Sequence, residues 1–163
     1  MYLSGDSPDY IYFLKKGKIK ISRFSDDGKE HILSILGPGE LFGEMSLSGG
    51  DTMGEDAEAL EDSIICSIKH KHFMDFLNRH PEINFRLFKI MGLKLKRIQS
   101  KLENLCFKTA DERIIFYLKD LAPGYGREEE NTNKWVLKLR ITHEDSAKLT
   151  GRTRQKVTTV LSE

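Results

Sequence analysis

Arg152, Arg154, Gln155 and Lys156 fall within five positions of each other, directly after Gly151. Arginine and glutamine side chains suit bidentate hydrogen bonds to the exposed edges of nucleic-acid bases, and lysine and threonine suit phosphate oxygens. Thr142, Thr153 and Thr159 supply hydroxyls around the same stretch. The run from Thr142 to Leu161 has the spacing to hold these groups on two short helices pinned across a glycine. Thr142 is placed to cap the first helix, with Asp145 three residues on as a capping box. Gly151 supplies the tight turn, because a residue without a Cβ tolerates positive φ. Thr153 is a suitable cap for the second helix, and Val157, Val160 and Leu161 form its buried stripe. Ala147 and Leu149 are expected to face that helix from the first. Arg152, Arg154, Gln155, Lys156 and Thr159 are then left facing outward. In a helix-turn-helix the start of the second helix enters the major groove, so the pattern points to reading DNA. A helical hairpin with a solvated basic face has the same pattern, and the rest of the chain must decide.

Charge is unevenly distributed along the 163 residues, although the whole chain is only +1. Residues 1–62 hold 6 Lys/Arg against 13 Asp/Glu, a net of −7. Residues 63–130 hold 13 against 9 and residues 131–163 hold 7 against 3, +4 in each case. An acidic front and a basic rear suggest a sensing part and a polyanion-binding part. No apolar run approaches the roughly 20 residues that span a bilayer, and Met1 to Asp6 has no basic start or apolar core of a signal peptide. Cys66 and Cys106 stand alone, which fits a reducing cytoplasm, and both are expected to be buried structural thiols. His31, His70, His72, His80 and His143 lack ligand spacing, and His70-Lys-His72 reads as an exposed helix start. No metal cluster, nucleophile elbow or phosphate-binding loop is present, since Gly37-Pro-Gly-Glu lacks a following Gly-Lys-Ser/Thr. The chain does not read as an enzyme.

The elements that must position the terminal motif follow from periodicity. From Tyr10 to Ile68 the pattern is β: Ile11, Phe13, Ile19, Ile21 and Phe24 alternate with polar residues, and Gly17 and Asp27-Gly28 mark turns. Lys29 is expected at an exposed hairpin tip. Short strands with glycine turns argue for a sandwich or small barrel. After Ile68 the period becomes helical. His72 to Asn78 reads as a short helix, and Pro81 opens a long one running to about Phe107. In it Leu87, Met91, Leu95, Ile98, Leu102 and Leu105 make a heptad-like seam, with Arg86, Lys89, Lys94, Lys96, Arg97 and Lys101 on the other faces. A helix of this length is about 40 Å long, more than a small β domain covers, so part of the seam is expected to face a second copy in a parallel dimer. Ala110 to Leu121 reads as a helix ended by Pro123-Gly124, residues 126–133 as a polar loop and Lys134 to Ile141 as a strand.

In this order, the chain resembles the Crp/Fnr family of bacterial transcription regulators. The resemblance rests on Gly5-Asp6, Tyr12-Phe13-Leu14-x-x-Gly17, Asp27-Gly28, Gly37-Pro-Gly-Glu-Leu-Phe-Gly-Glu-Met45, the long helix after His80-Pro81 and the terminal helix-turn-helix. It implies an α+β protein with an N-terminal β-roll or jelly-roll sensor domain of the cyclic-nucleotide-binding kind over residues 1–79. A dimerisation helix over 80–107 and a winged helix-turn-helix over 108–163 would follow. The family has some tens of residues before the match to Tyr2 and a β-hairpin wing after the recognition helix, so both ends are expected to be incomplete here.

The family's cyclic-AMP binders place a Gly-Glu pair on the ribose and, about ten residues later, an Arg-Ser/Thr pair on the cyclic phosphate. Gly43 and Glu44 match the first pair. The second falls on Met53-Gly54 or Gly54-Glu55, in a segment with Asp51, Glu55 and Asp56 and no Arg or Lys. A buried phosphate needs a cationic fork, and these carboxylates repel it. Ile98-Gln99 stand where the cyclic AMP receptor contacts the base with small hydroxyl residues. The implied effector pocket is therefore Gly43, Glu44, Met45, Ile98 and Gln99, without a cyclic-AMP site, and Glu44 is expected to tie down backbone amides. Haem, an iron–sulfur cluster, 2-oxoglutarate, an aromatic ligand or no ligand stay open. Two cysteines do not supply the four thiolates of a cluster, although a preceding segment could. The expected DNA contacts are Arg154 and Gln155 on base edges, with Thr142, Arg152, Thr153 and Lys156 on phosphates and Thr159 on the same face. The expected dimer interface is Met91, Leu95, Ile98, Leu102 and Leu105. The implied partners are double-stranded DNA bearing a palindromic operator, a second copy and RNA polymerase, with no membrane, in the cytoplasm. The alternative class is a ligand-binding regulatory module that does not bind DNA.

Overall fold

A computed structural model of the chain describes residues 9–48, 54–129, 134–137 and 141–162. Its front half is two three-stranded antiparallel sheets, a roll and not a closed barrel. In one, β1 (Tyr10–Lys16) lies between β4 (Leu41–Phe42) and β6 (Ile64–Lys69). In the other, β2 (Ile19–Phe24) lies between β3 (Glu30–Leu36) and β5 (Glu55–Ala59). Leu14, Ile19, Ile21, Leu36, Phe42 and Ala57 fill the space between the sheets, with Tyr12 stacked on Phe42. Two close approaches require glycine. A Cβ on Gly17 (φ +93°) would meet Ser63 at 2.1 Å, and one on Gly43 (φ +83°) would meet the Tyr10 carbonyl at 2.9 Å.

The inward turn of Tyr12 sends Phe13 to the opposite side of β1, because successive strand side chains alternate faces. Phe13 is therefore exposed, and so is its register partner Cys66. Cys106, near the end of the long second helix, is exposed as well. Both expected buried thiols are thus surface groups. Phe24, at the outer end of β2, is also exposed.

Three helices follow the roll: α1 (His70–Arg79), α2 (Pro81–Phe107) and α3 (Ala110–Tyr125). α1 begins at His70, whose Nε2 meets the Ser46 hydroxyl at 2.9 Å, and packs on β1 and β6. α2 has Pro81 in its first turn, where a missing N–H costs nothing. α3 opens on a full capping box between Thr109 and Glu112 and does not stop before Pro123-Gly124. It continues to Tyr125, whose hydroxyl donates to the Ile35 carbonyl at 2.9 Å. The Tyr125 ring packs with Ile32, Ile35 and Leu149. That anchor on the roll outweighs the helix-ending tendency of the dipeptide. Residues 126–129, expected as loop, form β7 (Gly126–Glu129), paired with β8 (Lys134–Leu137). Of the expected strand Lys134 to Ile141, Lys134–Leu137 is β8, and residues 138–140 lie outside the described residues. The chain closes with α4 (His143–Thr150) and α5 (Arg154–Ser162).

Candidate nucleic-acid interface and sensor pocket

α4 is set by its cap. The Thr142 hydroxyl accepts the Asp145 N–H at 3.0 Å, and the Asp145 carboxylate accepts the Thr142 N–H at 3.0 Å. These bonds satisfy amides that the first helical turn leaves orphaned. At the other end Gly151 adopts the left-handed conformation (φ 64°), and the Arg152 N–H reaches back to the Ala147 carbonyl at 2.9 Å. The Thr153 hydroxyl then caps α5 by accepting the Lys156 N–H at 3.3 Å. Val157 is fully buried against Ala147 and Ile114, with Leu118 and Val160 around them. Two details differ from expectation. Leu161 is exposed, because α3 and α4 cover only the Val157 side of the short α5. Leu149 is buried not against α5 but against Ile32 and Ile35 of the roll.

The outward face of α5 carries Arg154, Gln155, Thr158, Thr159 and Ser162 along one shallow groove. The Thr158 and Thr159 hydroxyls donate back to the Arg154 and Gln155 carbonyls, at 3.0 and 3.1 Å. The side chains of Arg154 and Gln155 are exposed in this groove. Lys156 differs: its ammonium lies 2.8 Å from the Asp111 carboxylate of α3. Arg152 is half-buried, with its Nε shielded from solvent. Thr142 and Thr153 are exposed, and their hydroxyls are engaged in caps. Thr158 and Ser162 were not among the expected residues. Their positions four and eight after Arg154 place them on its face, a signal that the helical period alone contains.

α4 also carries a charged contact to the roll. Lys148 Nζ lies 2.8 Å from Glu30 at the start of β3, and Glu30 lies 2.7 Å from Lys20, which reaches Glu58 at 2.7 Å. Burial alone would raise the Glu30 carboxyl, but hydrogen bonds from Lys148 and Lys20 outweigh it and hold it down at about 2. Burial acts to lower Lys20, and its bonds to Glu30 and Glu58 leave it raised instead.

In the roll, Gly43 leads into a single 3-10 segment, Glu44–Ser48. Glu44 pairs with the ammonium of Lys94 on α2. Nearby, the Glu40 carboxylate ties down a backbone amide, accepting the Gly37 N–H at 2.7 Å. Met45, Ile98 and Gln99 are exposed. The structure thus joins α2 to the Gly43–Met45 segment through Lys94 and not through Ile98 or Gln99.

Along α2, Leu95, Ile98, Leu102 and Leu105 are each more than half exposed (55–57%), with Met91 intermediate. Phe88 is 77% exposed and extends this stripe at heptad spacing, whereas Leu87 is partly buried. No membrane-crossing helix occurs among the described residues, and they hold no group of three or more His, Cys, Asp and Glu able to bind a metal ion.

The profile of the family described as "Cyclic nucleotide-binding domain" matches residues 2–80. The "CRP-like cAMP-activated global transcriptional regulator" of Mycobacterium tuberculosis is 28% identical over 167 residues, spanning 100% of this chain and 72% of that protein. The "Cyclic AMP receptor protein" of Thermus thermophilus is 30% identical over 162 residues, 99% of this chain and 70% of that protein. Among solved structures, a variant of CooA from Carboxydothermus hydrogenoformans superposes with a TM-score of 0.80 at 24% identity, over 99% of this chain and 70% of that one. That similarity concerns the fold.

Proposed function

The chain belongs to the Crp/Fnr family of transcription regulators, and we propose that it acts as a homodimer that reads a palindromic DNA operator through α5. The observation that carries this reading is the α5 face. Arg154 and Gln155 project outward from a helix held by a capped partner helix, a left-handed glycine turn and the buried Val157. Arg154 donates to a guanine edge and Gln155 reads the neighbouring pair. Thr153, Arg152 and Lys156 border the phosphates, Lys156 after leaving Asp111, and Thr142 lies at the start of α4 beside the same backbone. The heptad stripe on α2, too apolar to face water along several turns, supports a second copy as its cover. A dimer of this kind spaces its recognition helices about 34 Å apart, one turn of DNA. RNA polymerase is the further partner that fits a transcription regulator.

The roll acts as a sensor-type domain that does not bind cyclic AMP or cyclic GMP in the manner of the relatives named for it. Glu55, expected near the phosphate, has its carboxyl raised first by burial and further by nearby Glu44, with Arg23 and Lys94 opposing. A cyclic phosphate would find no arginine in residues 48–56 and would have to compete with Glu44 for the Lys94 ammonium. The regulator reading is tested by selecting bound sequences from a random duplex library and confirming them by gel shift. Recovery of a palindrome supports it, and uniform binding of all duplexes overturns it. Titration calorimetry with millimolar cyclic nucleotide should show no saturable heat, and a low-micromolar dissociation constant would reject the ligand reading.

A further inference from the structure

Three cations on one face of α2 all end on the roll. Lys94 Nζ donates to the Leu41 carbonyl at 2.7 Å and to the Glu44 carboxylate. Three residues on, Arg97 donates to Glu40 at 2.9 Å. Four residues further, Lys101 Nζ donates to the Leu33 carbonyl at 2.7 Å. Spacings of three and four keep positions on one side of a helix, so these contacts set the rotation of α2 about its axis. The apolar positions 95, 98 and 102 follow each cation by one residue and are turned off the roll as a result. Lys94 and Glu44 are only 25% and 21% exposed, so water screens their pair less than a surface ion pair.

We infer that Lys94 is a built-in occupant of the sensor pocket: its ammonium takes the Glu44 carboxylate and the Leu41 carbonyl, and so joins α2 to the roll without a small-molecule effector. The inference rests on the reading of Gly43–Met45 as that pocket. A ligand moves a conformational equilibrium only through its different affinities for the two states. An ammonium tethered to α2 competes for Glu44 at an effective concentration on the order of millimolar or above, so a free ligand aimed at this carboxylate starts at a disadvantage. The joined arrangement is then the resting one, with the α2 stripe already turned outward. An effector that acted here would have to displace Lys94, and a small primary ammonium is the chemistry that could replace it.

The test uses the whole chain and the DNA site selected for the wild type. Lys94→Ala should bind that site about tenfold more weakly, within the usual range of coupling between two sites. Millimolar ethylammonium should return most of the lost affinity, whereas tetramethylammonium, which has no N–H, should not; neither should affect the wild type. A Glu44→Lys, Lys94→Glu exchange should restore part of what either single change removes. Amide exchange across residues 90–101 should speed up in Lys94→Met. That readout needs no DNA, so it tests the joint even where the operator reading fails. Wild-type operator binding by a folded Lys94→Ala protein, unchanged α2 exchange in Lys94→Met, or a loss that ethylammonium does not reverse, would each overturn the inference.

Discussion

The cations of α2 and those of α5 are similar in kind and opposite in use. Lys94, Arg97 and Lys101 spend their charge within the chain, on Glu44, Glu40 and two backbone carbonyls. On α5, Arg154 stands with Gln155 in the outward groove, and only Lys156 is held, by Asp111. The net charge of +4 calculated for both the middle and the last part of the sequence hides this contrast. A cation that is already paired and partly desolvated stiffens a joint, whereas an exposed one on a fixed helix is open to a polyanion. The apolar residues reverse the pattern: α5 buries Val157, while α2 leaves its stripe from Phe88 to Leu105 uncovered.

The largest effect should come from that stripe. Ile98→Asp or Leu102→Asp would place an unpaired carboxylate on both chains of the proposed interface, a change of several kcal/mol. Both variants should sediment as monomers with the roll folded, and a dimer persisting at micromolar concentration would assign the contact to another surface. Next, Arg154→Ala should cost about 1–3 kcal/mol and relax one position in each half-site. Unchanged site selectivity would remove Arg154 from the base contacts.

Glu30 tests whether α4 is tied to the roll by charge. Its folded carboxyl sits at about 2, below the ordinary glutamate value of 4.5, so its contribution is present above 4.5 and is lost as pH falls towards 2. Glu30→Gln should lower stability at pH 7 by about 1–2 kcal/mol, between the exposed and buried ranges for ion pairs. In acid the wild type and the variant should converge in urea unfolding, and a gap that persists at pH 2 would refute the assignment. The smallest effect is expected from Lys156→Ala, about 0.5 kcal/mol in stability because the Asp111 pair is half exposed. It should weaken all DNA sequences alike, and a change in sequence preference would move Lys156 to the base edges.

Much of this is legible in the residues alone. The Thr142–Asp145 box, the Gly151 turn, the bounds of α2 and the Asp27-Gly28 hairpin depend on neighbours within a few residues, and local sequence determines such features. The exposed heptad stripe was legible too, except for its first turn, where Phe88 and not Leu87 continues it. The errors involve distant partners. Pro123-Gly124 looks like a helix end until Tyr125 is seen on the Ile35 carbonyl, 90 positions back in the chain. Glu44 reads as a carboxylate for backbone amides, whereas the ammonium it meets is that of Lys94, 50 residues away in the chain.

The sequence by itself determined the family, the helix-turn-helix with its caps and the outward placing of Arg154, Gln155 and Thr159, because caps, turns and helical periods are short-range. Only the tertiary structure decided which charges are spent. Pairing depends on which surfaces pack together, and residues as far apart as Glu30 and Lys148 become neighbours only when α4 lies on β3 and burial strengthens their attraction.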